Sequence, residues 1–388
     1  MNHDHENVLF VGMGGGNDIF STILAIASLK KDGWRWKKCA IAGPIGPFFR
    51  YDGMVPTGIN GVFRLTENAT RYLWRKDSPK DIGLVNSAVA KMLKKTNPYN
   101  VADHFALSLE GGSEGLIDAF RVLNEEGYDY FVLIDVGGDV FYSGKRDYHV
   151  LTPMSDALVL KGFQDAGLEG TVFLAGPNTD GETEIESLAA NMLCARPEVR
   201  GLDFEVVDEW YFLYEKYIES SRKGNTVPRT HKALYSHERI ITFDHKSEER
   251  IGNLRFYVEF PQRVDTTLCR RFYLFIPNNI HNPFAVSCGS VQEWFTKTQA
   301  LQQHTHNEAN TQYLKVDSEV RQFLTPSPLL KTDERFLLIE QGLADLRRGI
   351  TDRAWLLASD AKYFGNELSK KELLFSEDQG LVSVRKAQ

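Results

Sequence analysis

The sequence predicts an α/β protein: a mostly parallel sheet with helices on both faces, followed by a C-terminal part of antiparallel strands and helices. Three observations carry this expectation. Short apolar runs alternate with helix-patterned segments through the first half of the chain. Those runs are apolar at consecutive positions, as in strands buried on both faces. After residue 239, strand-like runs follow one another with only short polar links, the pattern of antiparallel neighbours.

The elements follow in order. The run "NVLFV" (7–11) reads as a strand, and a helix follows from about Asp18 to Lys31, with Ile19, Ile23, Ile26 and Ala27 at helical spacing. A second strand, "KCAIAGP" (38–44), ends on glycine and proline. Helices are expected at 81–95 and 115–127, a strand at 130–135 ("YFVLID"), and a helix at 155–167 with Ser155 as N-cap and Gly167 beyond its end. A strand at 171–176, a helix at 182–193 and a strand at 202–208 ("LDFEVVD") complete the first half. Strands at 239–244, 254–260 and 270–276 and helices at 291–303 and 334–349 make up the second. Residues 219–238 carry the strongest loop chemistry, so the chain divides into an α/β part, 1–218, and a mixed part, 239–388, packed on it or extending its sheet.

Composition removes several function classes. With 388 residues, 42% of them hydrophobic and 25% charged, a sizeable core is available. The net charge of −7 disfavours a nucleic-acid partner. The four cysteines, Cys39, Cys194, Cys269 and Cys288, form no CxxC pair; they suit small buried side chains in a reducing compartment. The N-terminus has no basic, apolar leader, and no apolar run nears the roughly 18 residues that span a bilayer. A cytoplasmic protein without a membrane partner is expected, with a homo-oligomer left open. The histidines of "HTH" (304–306) read as a solvated loop, and no GxSxG nucleophile elbow is present.

The chemistry-bearing residues fall where strands end. In an open parallel sheet, ligands bind beyond the carboxyl ends of the strands. The first strand runs into "GMGGGND", where Gly14, Gly15 and Gly16 let a ligand approach the backbone, and Asn17 and Asp18 open a helix whose N-terminus suits a phosphate. The spacing fits neither the dinucleotide fingerprint nor a Walker loop. The third strand ends in "DVGGD": Gly137 and Gly138 turn the backbone so that Asp135 and Asp139 can share one pocket, either as ligands of Mg²⁺ or another divalent cation or as an acid/base pair. The next strand ends in "AGPNTDGE", offering Asn178, Asp180 and Glu182 as oxygen ligands or ribose acceptors. A fourth glycine-rich approach, "SLEGGSEG", adds Glu110 and Glu114. Taken singly, each segment is also explained as a tight turn beside a capped helix. Their recurrence at successive strand ends favours a common rim. The loop "FIPNNIHNPF" (275–284) and the cations Arg222, Lys223, Arg229 and Lys232 read more simply as structural loop and solvated charge. Cys194, after an apolar helical run, reads as core.

The segments "VGMGGGNDIFSTILA", "LIDVGGDVF", "TPMSDALVL" and "AGPNTDGE", in that order over roughly the first 210 residues, resemble domain-of-unknown-function family 1152, found in archaea and bacteria. The family's first loop usually looks like GGGGD; here Asn17 stands before Asp18 and displaces the glycine cluster. The resemblance implies a Rossmann-like sheet with a polar site at these loops, and no particular activity.

The residues point first to a metal-assisted hydrolase or group-transfer enzyme for a nucleotide-like or phosphorylated small molecule. In that scheme Gly14–Gly16 hold the anion, Asp135 and Asp139 bind the cation or act as base, and Asp180 and Glu182 hold a ribose or complete the metal shell. A non-catalytic nucleotide sensor would use the same loops. A nucleoside-cofactor enzyme, using S-adenosylmethionine or NAD, ranks third, because the second strand ends in "AGPIGP" without the acid that grips a ribose.

Overall fold

A computed structural model describes residues 4–14, 17–46, 50–72, 85–142, 153–180, 183, 185–218, 226–251, 254–291, 293–294, 296–298, 353–357, 373–378 and 381–386. Its centre is a parallel sheet built from β1 (Asp4–Gly12), β2 (Arg35–Ile45), β5 (Val101–Ser108), β6 (Tyr130–Val136) and β7 (Gly170–Ala175). These lie in the order β5-β2-β1-β6-β7, with Val8 of β1 opposite both Cys39 and Tyr130. Helices α1 (Asn17–Lys31), α2 (Val85–Lys95), α3 (Gly112–Glu125) and α4 (Pro153–Ala166) run between the strands. The strand order reverses direction at β1 and β6, and the crevice between two such strands is where open α/β sheets take ligands.

Where they cross the core, β1, β6 and β7 have no exposed face. Val8 and Phe10 point into the core beneath α1, while Leu9 and Val11 point into the core beneath α3 and α4. Complete burial of one such side chain stabilises by about 1.5–3 kcal/mol, which is why a run without alternation is stable here and would not be on an exposed sheet. On the α3–α4 side Phe120, Phe131 and Phe163 meet edge to face or tilted, at 5.4–5.8 Å between centroids.

Both edges of the sheet are extended by antiparallel strands. On one side stand β3 (Arg50–Pro56) and β4 (Val62–Tyr72). On the other, β11 (Arg271–Phe275) sits between β7 and β8 (Glu198–Gly201), completing nine strands. Residues from the second half of the chain thus form part of the main sheet. The strands β9 (Ile240–Ile251) and β10 (Leu254–Asp265) pair as a separate antiparallel ribbon. A small sheet combines β12 (Arg353–Leu357), β13 (Leu373–Asp378) and β14 (Leu381–Lys386) in the order β12-β14-β13.

Several sequence expectations need correction. The run at 202–208 is not a strand: α6 (Phe204–Tyr217) starts there, because Asp203 accepts hydrogen bonds from the Glu205 and Val206 amides and caps it. Val206, Val207, Trp210, Leu213 and Tyr214 then form its buried stripe. The loop expected at 219–238 contains α7 (Thr226–Tyr235), with Val227, Thr230, Ala233 and Leu234 buried. Ser155 is inside the first turn of α4, which begins at Pro153, whereas Gly167 does follow the helix with φ +69°. Cys194 is exposed at the end of α5 (Ile185–Cys194); the other three cysteines are buried. Strands β3, β4 and β5 carried no expectation. The helix expected at 334–349, the "HTH" histidines and residues 81–84 and 299–303 lie outside the described residues. Among the described residues, no helix is long and apolar enough to cross a membrane.

Candidate functional site

The acids at the β1–β6 crevice are assembled by backbone geometry. Gly12 ends β1 where α1 passes so closely that a Cβ would lie 2.6 Å from the Ile19 nitrogen. This contact brings the first turn of α1 over the sheet and buries Asp18. The Asp18 carboxylate then accepts two main-chain bonds, from Gly14 N at 2.8 Å and from Val136 N, at the end of β6, at 3.0 Å. It therefore joins the first loop to β6 and does not act as a simple helix cap.

Asp135 is the penultimate residue of β6 and has no exposed surface. Its two oxygens accept from Gly138 N at 3.1 Å and Val140 N at 3.2 Å. Those bonds need a sharp turn, supplied by Gly137 (φ +134°) and Gly138 (φ +116°). Gly137 has a second role: a Cβ there would overlap the Asp180 carboxylate, so its absence is what admits Asp180 from the end of β7. A short 3₁₀ turn, Asp139–Phe141, follows and carries Asp139 back to the cluster, where it hydrogen-bonds with the carboxyls of Asp135 and Asp156.

Asp18, Asp135 and Asp156 each place a carboxylate oxygen within 4.8 Å of the others, and all three are buried. Asp156 was not among the sequence candidates. It sits in the first turn of α4, within the segment "TPMSDALVL" on which the family resemblance also rests. Burial pushes the Asp18 carboxyl up to about 7, against the pull of its two amide donors, and the Asp180 charge adds to the rise. Asp135 is held well above the usual carboxylate range, by burial first and then by Asp139, Asp18 and Asp180. Asp139 moves the same way, through burial and the charges of Asp180 and Asp18, although part of its own surface meets solvent. Carboxyls so close share protons or share a cation.

The other sequence candidates divide. Gly14 borders the cluster, where a Cβ would press on the Asp18 carboxylate. Asn17 begins α1, and its carbonyl accepts from Ser21. Asn178 adopts φ +67°; its side chain donates to the Arg263 carbonyl at 2.8 Å and accepts from Thr183, so it braces the turn. Gly15, Gly16, Glu182, Arg222 and Lys223 lie outside the described residues. Arg229 is not a solvated charge: it is buried beneath the turn that carries Asp180. The loop 275–284 is structural, as Asn282 donates to the Val140 carbonyl at 3.0 Å. A separate cleft of about 320 Å³, lined by Leu65, Leu93, Asn97 and His104 among others, includes none of the clustered acids.

Against this geometry stands one match among protein families. The model described as a protein of unknown function (DUF1152) matches residues 9–202, half of the chain. The chain belongs to the DUF1152 family. The family stretch contains all five clustered acids, Asp18, Asp135, Asp139, Asp156 and Asp180, and stops before α6 and α7. No curated protein and no solved structure matches the chain.

Proposed function

We propose that this DUF1152 protein is a metal-assisted hydrolase or group-transfer enzyme acting on a phosphorylated or nucleotide-like small molecule. The observation that carries the reading is the buried carboxylate triad of Asp18, Asp135 and Asp156 at the point where the strand order reverses. Three buried carboxylates repel one another and lose hydration, and a hard divalent cation such as Mg²⁺ relieves both costs with the oxygen ligands it prefers. Such a cation supplies Lewis-acid polarisation of a phosphoryl oxygen and a more acidic water.

The chain's own groups take the remaining roles. The first turn of α1 offers main-chain N–H groups to an anion at the same edge. Asp139 keeps solvent access and, with a raised carboxyl pKa, is suited to take the proton of the attacking water at its carboxylate. Asp180 faces the cluster across Gly137. The nucleoside-cofactor reading is weaker, since β2 ends at Ile45 without an acid.

Titration calorimetry with Mg²⁺ and Mn²⁺ tests the cation: binding is expected for the wild type and lost in Asp135→Asn, and a wild type that binds neither sinks the metal. A thermal-shift screen of nucleotides and sugar phosphates, with and without Mg²⁺, then tests the substrate class. Any stabilising compound is analysed for chemical change after incubation; a compound returned intact makes the protein a sensor instead of an enzyme.

A further inference from the structure

The turn bearing Asp180 is held from outside the family-matched stretch. Beside the contacts that the family stretch itself supplies, Asn178 N to the Gly137 carbonyl and the Thr183 hydroxyl to Asn178, four contacts from residues 226–269 grip residues 176–180. Arg229 Nη1 of α7 donates to the Asp180 carbonyl at 3.1 Å. The Thr230 and Thr179 hydroxyls meet at 2.7 Å. Asn178 donates to the Arg263 carbonyl of β10, and the Cys269 thiol to the Pro177 carbonyl at 3.6 Å. The fit is close: a Cβ on Gly176 would come within 2.6 Å of the Thr230 hydroxyl. Arg229 itself is only 7% exposed and lies 5.4 Å from the Phe243 ring centre, so it packs against an aromatic while one of its N–H groups holds the turn.

We propose that α7 is a clamp on the acid cluster, with Arg229 as the positioning residue that fixes the Asp180 turn and so holds its carboxylate beside Asp135 and Asp139. The inference rests on the cation reading of the same cluster and adds to it the part of the chain that controls the geometry. Arg229 acts through the turn and does not touch the ligand. Groups that orient a metal site from behind its ligands typically change metal affinity about 10–100-fold when removed.

The test uses the full chain as wild type, Arg229→Met and Arg229→Lys, with Mn²⁺ affinity by calorimetry and amide exchange at Asn178 and Thr179 as readouts. Arg229→Met is expected to weaken Mn²⁺ about 10-fold or more and to speed exchange at those two amides while β1 amides stay protected. Arg229→Lys, which keeps one donor and the charge, is expected to recover most of the affinity. Thr230→Val, which removes the hydroxyl contact at similar volume, serves in its place if Arg229→Met does not fold. Unchanged exchange overturns the clamp. So does tighter Mn²⁺ binding in Arg229→Met, because loss of a positive charge near carboxylates, with no loss of positioning, favours a cation. If the wild type binds no Mn²⁺, the cation reading falls and amide exchange alone decides the clamp.

Discussion

Two glycine-rich turns lead into helices at the same edge of the sheet, one into α1 and one into α3, and their acids end in opposite environments. Asp18 is buried and bonded to the end of β6. Glu110 and Glu114 are exposed. At α1 the partner of the loop is another strand end, which brings a second acid, Asp135. At α3 the approach is filled by the chain itself: Glu114 N donates to the Cys288 carbonyl at 3.1 Å, and the Ser113 hydroxyl accepts from Cys288 N at 2.9 Å. Glycines beside an acid therefore mark a place where a backbone can approach. Whether the visitor is a ligand or a later segment of the same chain depends on what the topology brings there.

The contrast can be broken from either side. The largest effect is expected from Asp135→Asn, which should remove divalent-cation binding in calorimetry, whereas Glu114→Gln should leave it unchanged. Next comes Gly137→Ala. Its φ of +134° and the adjacent Asp180 carboxylate leave no room for a methyl group, so chemical denaturation should show a loss of about 2 kcal/mol or more. Gly115→Ala, in α3 with open space around it, should stabilise by about 0.5–1 kcal/mol.

The third effect is on pH dependence. The Asp18 carboxyl lies near 7 in the fold against 3.8 in the free side chain, with Asp135 and Asp139 raised as well. The folded chain thus holds protons that the unfolded chain releases. Without a cation, the melting temperature should fall as pH rises through the window from about 4 to about 7. With saturating Mn²⁺ the trend should reverse, since the metal competes with those protons. Identical pH profiles with and without Mn²⁺ would argue against a cation at the cluster. A smaller loss than at Gly137 is expected for Ser113→Ala, about 1 kcal/mol from the lost acceptor for Cys288 N, with Mn²⁺ affinity intact.

Much of the parallel core was legible in the sequence because its signals are local. Continuous apolar runs such as "YFVLID" admit no exposed face, and the turns after β1, β6 and β7 place acids at one edge. Asp18, Asp135, Asp139 and Asp180 could be singled out because each stands at a strand end or just past it. Asp156 was hidden by local chemistry of another kind: an acid in the first turn of a helix is what the helix dipole already favours, so it carries no separate signal. Arg229 was hidden because its burial depends on Phe243 and the Asp180 turn, which are remote in sequence. The helix at 204–217 was misread because "LDFEVVD" has strand-forming residues, yet Asp203 supplies a cap and the buried stripe continues to Tyr214. Segments β3–β5 mix polar and apolar residues and so offered no contrast with loops.

The insertion of β11 between β7 and β8 has a consequence for biosynthesis. A ribosome that has made only the DUF1152 stretch has delivered β8 but not the strand that ties it to the sheet. Until Phe275 emerges, one whole side of the apolar strand β7 carries unpaired N–H and C=O groups, an open template for another chain. Trimming the gene to its family-sized portion would make that transient hazard permanent, so a shortened product should collect in inclusion bodies where the full-length one does not.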